Sequence, residues 1–108
     1  MVARAEFDTL RTLDYTGISG TYAAVGTPTT VLTRLICFSN ATEGDVVFSN
    51  DATNDKLFVA EGNFKLLDIQ SNANPQFDDR YVIPVGTQWY VKQLTAPLSG
   101  AVYIEILY

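Results

Sequence analysis

Apolar residues recur along the chain in short runs, alternating or nearly continuous, and no run carries the three-to-four-residue spacing of an amphipathic helix. Each run closes on Gly, Pro, Asn or Asp, residues whose backbones accommodate turns. The pattern predicts strands near residues 6–13, 21–25, 31–39, 45–49, 56–60, 63–69, 80–84, 87–94 and 101–107. Segment 31–39 is apolar on both faces apart from Thr33 and Arg34, as a central strand is. The last run places Val102, Ile104 and Ile106 on one face and reaches almost to Tyr108, so the C-terminus is expected to be paired. Ala60-Glu61-Gly62 and Pro84-Val85-Gly86 sit between strand-like runs, where glycine can supply a hairpin's positive φ. Pro97-Leu98-Ser99-Gly100 breaks the last pair, residues 49–55 form a polar turn, and residues 70–79 form the longest loop.

Eight or nine short strands in 108 residues predict a single all-β domain, an antiparallel β-sandwich. A jelly-roll-like arrangement is preferred, with an immunoglobulin-like one as the alternative. Phe58-Val59-Ala60-Glu61-Gly62 is echoed by Val82-Ile83-Pro84-Val85-Gly86, which reads as two similar hairpins and not as a solenoid. The sandwich is assigned to residues 21–108, and residues 1–20 are either an N-terminal arm or a first strand. Arg4, Glu6, Asp8, Arg11 and Asp14 crowd that segment with charge, and Gly17-Ile18-Ser19-Gly20 resembles a hinge. Alternation puts Leu35, Ile36, Phe38, Val47, Leu57, Val59, Leu66, Ile69, Val82, Trp89, Val91, Val102, Ile104 and Ile106 in the core.

Charge narrows the function. Seven basic and twelve acidic residues give a net charge of −5, and the cations stand singly along the chain. A nucleic-acid binder needs clustered Lys and Arg, so no nucleic-acid partner is expected. No apolar run approaches the roughly 20 residues of a membrane helix, and no membrane partner is expected. Residues 1–10 are too polar and broken for a signal peptide, which points to synthesis in a cytoplasm. The single Cys37 precludes an internal disulfide.

Candidate chemistry is sparse. The chain has no histidine, which removes the commonest general base and metal ligand. Cys37 lies in the most apolar run and reads as a packed small hydrophobe. Asp78 and Asp79 are adjacent and point to opposite sides of an extended backbone; Asp51 and Asp55 flank a turn. Neither pair has an aromatic wall nearby in sequence to raise one carboxyl for glycoside hydrolysis. Asn50-Asp51 and Asn54-Asp55 offer oxygen ligands but lack the central Gly and terminal Glu of an EF-hand loop, and Asx-turns explain them. No catalytic residue, cofactor site or metal site is assigned. The aromatics remain. Phe7, Leu10, Phe77, Tyr81, Tyr90, Tyr103 and Tyr108 are the candidate partner-binding residues, because surplus aromatics on a lysine-poor exterior make contact hot spots for protein, or a stacking platform for a glycan.

Across roughly residues 17–108 the chain resembles small virion structural proteins of tailed bacteriophages. The resemblance rests on Gly17-Ile18-Ser19-Gly20-Thr21-Tyr22, Ile36-Cys37-Phe38-Ser39-Asn40, Phe48-Ser49-Asn50-Asp51 with Asn54-Asp55, the run from Val82 to Lys92, and Gly100-Ala101-Val102-Tyr103-Ile104. It implies a jelly-roll-like sandwich that coats a capsid or sits at the neck or tail, and it supplies no catalytic residue. The expectation is a non-enzymatic, homo-oligomeric capsid decoration protein of the virion that binds capsid or other virion proteins. A neck, tail-adaptor or fibre-base component, and a carbohydrate-binding module, are the alternatives.

Overall fold

The computed structural model describes residues 6–31, 33–69, 83–96 and 99–108. Its strands are β1 (Arg11–Asp14), β2 (Ala23–Ala24), β3 (Leu35–Asn40), β4 (Val46–Ser49), β5 (Leu57–Val59), β6 (Phe64–Asp68), β7 (Tyr90–Gln93) and β8 (Ala101–Leu107), with a 3₁₀ turn at Tyr15–Gly17. One sheet runs β1-β8-β3-β6 and the other β2-β7-β4-β5. Strands pair antiparallel from the outside of the sequence inward: β1 with β8, β2 with β7, β3 with β6, β4 with β5. A long ribbon doubled on itself and then rolled gives this order, and the β3–β8 and β4–β7 ladders close the roll into two sheets. The fold is a jelly-roll β-sandwich.

The core forms where alternate residues of the two sheets face each other. Ile36 and Phe38 of β3 and Val102, Ile104 and Ile106 of β8 meet Val46, Phe48, Val59, Trp89 and Val91 from the other sheet. Phe38 packs 5.0 Å from Phe48 and 4.9 Å from Trp89, centroid to centroid, the latter edge to face. Ile18, Val25, Val46 and Phe48 are buried without having been expected in the core, whereas Leu35, Leu57 and Ile69 are only half buried. Leu66 is a correction: it is 59 % exposed, because β6 is an edge strand and Leu66 lies beside Cys37 on the outer face. Val82 lies outside the described residues, and of the strand expected at 80–84 only Ile83 and Pro84 are described, Ile83 bridging Thr33.

Residues 11–14 take the strand form of the two expectations for the N-terminal segment. They pair with residues 101–104 of β8, Phe7 bridges Leu107, and Glu6 and Tyr108 exchange backbone hydrogen bonds of 2.7 and 2.8 Å. Arg11 faces inward, and its guanidinium donates to the carbonyls of Thr27 (2.7 Å), Thr9 (2.8 Å) and Pro28 (3.1 Å) while pairing with Asp8 at 3.0 Å. Its stem runs against Gly26, whose φ of +66° and 2.7 Å clearance to Arg11 Cγ leave no room for a Cβ. A second buried polar knot ties the turn after β3. Asn40 donates to the carbonyls of Gly44 (2.8 Å) and Val59 (3.0 Å) and accepts from the Thr42 N–H at 3.0 Å. Its side chain is thereby satisfied in a place where an unpaired amide would be costly.

Candidate interaction surface

Period-two alternation in the β1-β8-β3-β6 sheet fixes what its outer face presents. With Val102, Ile104 and Ile106 turned inward, β8 turns Tyr103, Glu105 and Leu107 outward. In register, β3 presents Leu35 and Cys37, and β6 presents Phe64 and Leu66. Phe7, held by its bridge to Leu107, lies along the same face. The result is a largely apolar surface. Phe7 is 77 % exposed, Phe64 66 % and Leu10 54 %. A cleft of about 500 Å³ opens between Phe7, Asp8, Leu10, Tyr103, Glu105 and Ile106. A smaller one of about 150 Å³ continues past Phe7 and Glu105 to Leu35, Cys37, Leu66 and Leu107. Glu105 stands between the two clefts, and among the described residues no ion pair engages it.

The outer face of the other sheet is partly covered by its own side chains, with Phe58 left 45 % exposed. Val47 lies between Phe58 and Lys92 across the ladder and is almost fully buried. Lys92 pairs with Asp55 at 3.0 Å and sits 4.9 Å from the centroid of the Tyr22 ring. The Tyr22 hydroxyl donates to the same Asp55 carboxylate. Burial first, and then that hydrogen bond, push the Tyr22 hydroxyl well above its ordinary value, while the Tyr22 and Lys92 donors hold Asp55 below the usual carboxylate range. In the adjoining turn Asp51 accepts from the backbone N–H groups of Asn54 and Thr53, both at 2.9 Å, from the Asn54 side chain at 2.9 Å and from Ser49 at 2.7 Å. These donors, led by the Asn54 N–H, keep Asp51 ionised far below its ordinary value. The turn is an Asx structure whose carboxylate is engaged by its own loop.

The expected contact residues thus divide. Phe7, Leu10 and Tyr103 line one cleft, whereas Tyr108, one residue past the outward Leu107, lies on the opposite phase, 39 % exposed beyond the end of β8 with its backbone paired to Glu6. Tyr90 belongs elsewhere: on β7 it faces out from the second sheet beside Ser49 and Ala24, because the core takes its neighbours Trp89 and Val91. Phe77 and Tyr81 lie outside the described residues. Phe64, Leu66, Leu35, Cys37 and Glu105 join the surface without having been expected there. The signal for Glu105 was present in the sequence, as the one charge inside the alternating run of β8.

Compared with protein-family models, with curated proteins and with solved structures, the chain has no match. The functional reading therefore rests on the surface itself.

Proposed function

We propose that the chain is a non-enzymatic structural domain that docks on another protein through the outer face of the β1-β8-β3-β6 sheet, and that in a tailed-phage virion this protein is capsid protein. The observation that carries the docking reading is the contiguous apolar surface from Leu10 and Phe7 across Tyr103, Leu107 and Leu35 to Leu66 and Phe64. Extended apolar patches on a folded domain mark sites of contact. On the second sheet, by contrast, the outer face is shared by the Tyr22–Asp55–Lys92 cluster, a buried Val47 and an exposed Phe58, so its apolar surface is smaller. The phage setting is supported by the sequence resemblance. It is also supported at the level of fold analogy, since jelly rolls recur in viral capsid domains.

Jelly rolls recur in lectins as well, and the exposed aromatics keep a carbohydrate-binding module as the second reading. Against it, the polar groups of the larger cleft are Asp8, Tyr103 and Glu105, of which Asp8 is engaged by Arg11, and the rest of its lining is apolar. The test is co-sedimentation of the purified protein with virions of the encoding phage, comparing the natural chain with Phe7→Glu. Phe7 is mostly exposed, so the substitution should leave the melting temperature unchanged and abolish attachment. Attachment undiminished by Phe7→Glu refutes the face, and a glycan-array signal without any particle binding moves the assignment to the carbohydrate module. Copy number per virion then separates decoration, which matches the capsid lattice, from a neck or tail ring, which needs far fewer.

A further inference from the structure

The β1-β8-β3-β6 sheet ends on β6, and no described strand lies beyond it. The hydrogen-bond alternation of the ladder determines what this edge presents. The Asn40 N–H bonds to the Asn63 carbonyl at 2.8 Å and the Ile69 N–H to the Arg34 carbonyl at 2.8 Å. In an antiparallel ladder every second residue bonds to a given neighbour, so residues 63, 65, 67 and 69 turn their peptide groups toward β3. Phe64 and Leu66 then turn their N–H and C=O groups the other way, out of the sheet edge. Their side chains are also among the most exposed apolar groups of the protein. An edge strand of this kind is a template for another strand unless charge, proline or a bulge blunts it. In β6 the one cation, Lys65, sits with its ammonium 6.0 Å from the Phe58 ring centroid.

We propose that β6 pairs antiparallel with β6 of a second copy of this chain, about a two-fold axis at Leu66, joining the two sheets into one. A two-fold contact requires a patch that complements itself. Placing Leu66 opposite Leu66 meets that requirement, because each copy offers a donor and an acceptor at the same residue and an apolar side chain on the same face. The neighbouring register centred on Lys65 would set two ammonium groups directly opposite each other, an arrangement that like-charge repulsion disfavours. A register shifted by an odd number would put the outer face of one copy against the inner face of the other. The Leu66 register also makes the two apolar outer faces continuous, doubling the surface available to a partner. It does not depend on what that partner is.

The experiment is sedimentation equilibrium of the full chain over a wide concentration series, with amide hydrogen exchange on the same samples. The natural chain should pass from monomer to dimer, and the Phe64 and Leu66 amides should slow as it does. Leu66→Pro deletes an N–H that points out of the edge and leaves the β3 ladder intact, a change an edge strand tolerates. It should hold the chain monomeric at an unchanged melting temperature. Should Leu66→Pro fail to fold, Leu66→Lys serves the same purpose by placing two charges at the axis, and it too should be monomeric. A natural chain that stays monomeric throughout, a dimer whose Phe64 and Leu66 amides exchange freely, or a dimer that survives Leu66→Lys each overturns the proposal. A chain that remains monomeric while its β6 edge captures a foreign strand overturns it as well.

Discussion

Replacing Arg11 with methionine tests how firmly the N-terminal segment belongs to the sandwich. The guanidinium is nearly inaccessible, donates to three acceptors at once, the carbonyls of Thr9, Thr27 and Pro28, and is ion-paired with the carboxylate of Asp8. Methionine keeps an unbranched stem to lie against Gly26 and removes every one of these contacts. Hydrogen bonds to a charged donor contribute about 1.5–3 kcal/mol each, and removing one partner of a buried ion pair costs about 3–5 kcal/mol. These figures overlap, and water can reach carbonyls in the exposed stretch around Thr27, so the expected loss is about 3 kcal/mol. That is a large part of the roughly 5–15 kcal/mol that holds a domain together. Urea denaturation should show it as a lower midpoint at unchanged slope. Arg11→Lys should fall between, since one ammonium cannot span carbonyls at residues 9, 27 and 28. A loss below about 0.5 kcal/mol for Arg11→Met would place this position among ordinary surface sites. Residues 6–14 would then be an undocked arm, and the β1–β8 register would be wrong.

Two further outcomes follow from local geometry. Gly100 has φ +89°, and a Cβ there would lie 1.9 Å from the Ala41 carbonyl oxygen; Gly100→Ala should therefore cost at least about 2 kcal/mol, read as a drop in urea midpoint. The cluster on the second sheet makes stability depend on pH at both extremes. Asp55 and Asp51 have folded values below the ordinary 3.8, so their contribution is present above that value and lost as pH falls through the lowered ones. Tyr22 has a folded value above the ordinary 10.0, so the folded state keeps its proton longer and stability declines as pH rises past 10.0. Melting temperature against pH should fall at both ends, and Tyr22→Phe should remove the tyrosine contribution to the alkaline decline while leaving the Asp51 contribution to the acid one.

What the sequence disclosed followed from how local each feature is. In residues 101–107 one phase is wholly aliphatic, Val102, Ile104 and Ile106, while the other carries Glu105, and the structure buries the aliphatic three. In residues 64–69 two phases compete: Phe64 and Leu66 on one, Leu67 and Ile69 on the other. Nothing local decides between them. The roll decides, by placing β6 at an edge in register with β3, and Leu66 goes outward. In the sequence Arg11 stands only as one of the charges crowding the N-terminal segment, because two of the carbonyls it satisfies lie 16 and 17 residues away. Asn40 and Thr42 escaped notice for a similar reason, since the Val59 carbonyl that completes the knot comes from another sheet. Trp89 and Tyr90 show the same limit at the surface: adjacent aromatics on a strand point to opposite faces, and only the topology says which sheet each face belongs to.

Those long-range decisions also create the asymmetry on which the proposed docking rests. A sandwich needs both inner faces apolar, and its outer faces are free to be polar. The second sheet comes closer to this, with Lys92, Tyr22 and Asp55 on its outer face beside an exposed Phe58. The first sheet does not. Its outer face repeats apolar residues at the two-residue period on three strands, at Leu35 and Cys37, at Phe64 and Leu66, and at Tyr103 and Leu107. Among the described residues, packing makes no use of that second apolar face, because their core lies on the other side of the same strands. At roughly 25 cal/mol per Å² of apolar surface, a face this apolar gains most when something covers it. Glu105, set among those residues without an ion pair among the described ones, restricts what can do so. An apolar partner with no cation would strand the carboxylate, whereas one that brings a lysine or arginine to Glu105 satisfies the whole face.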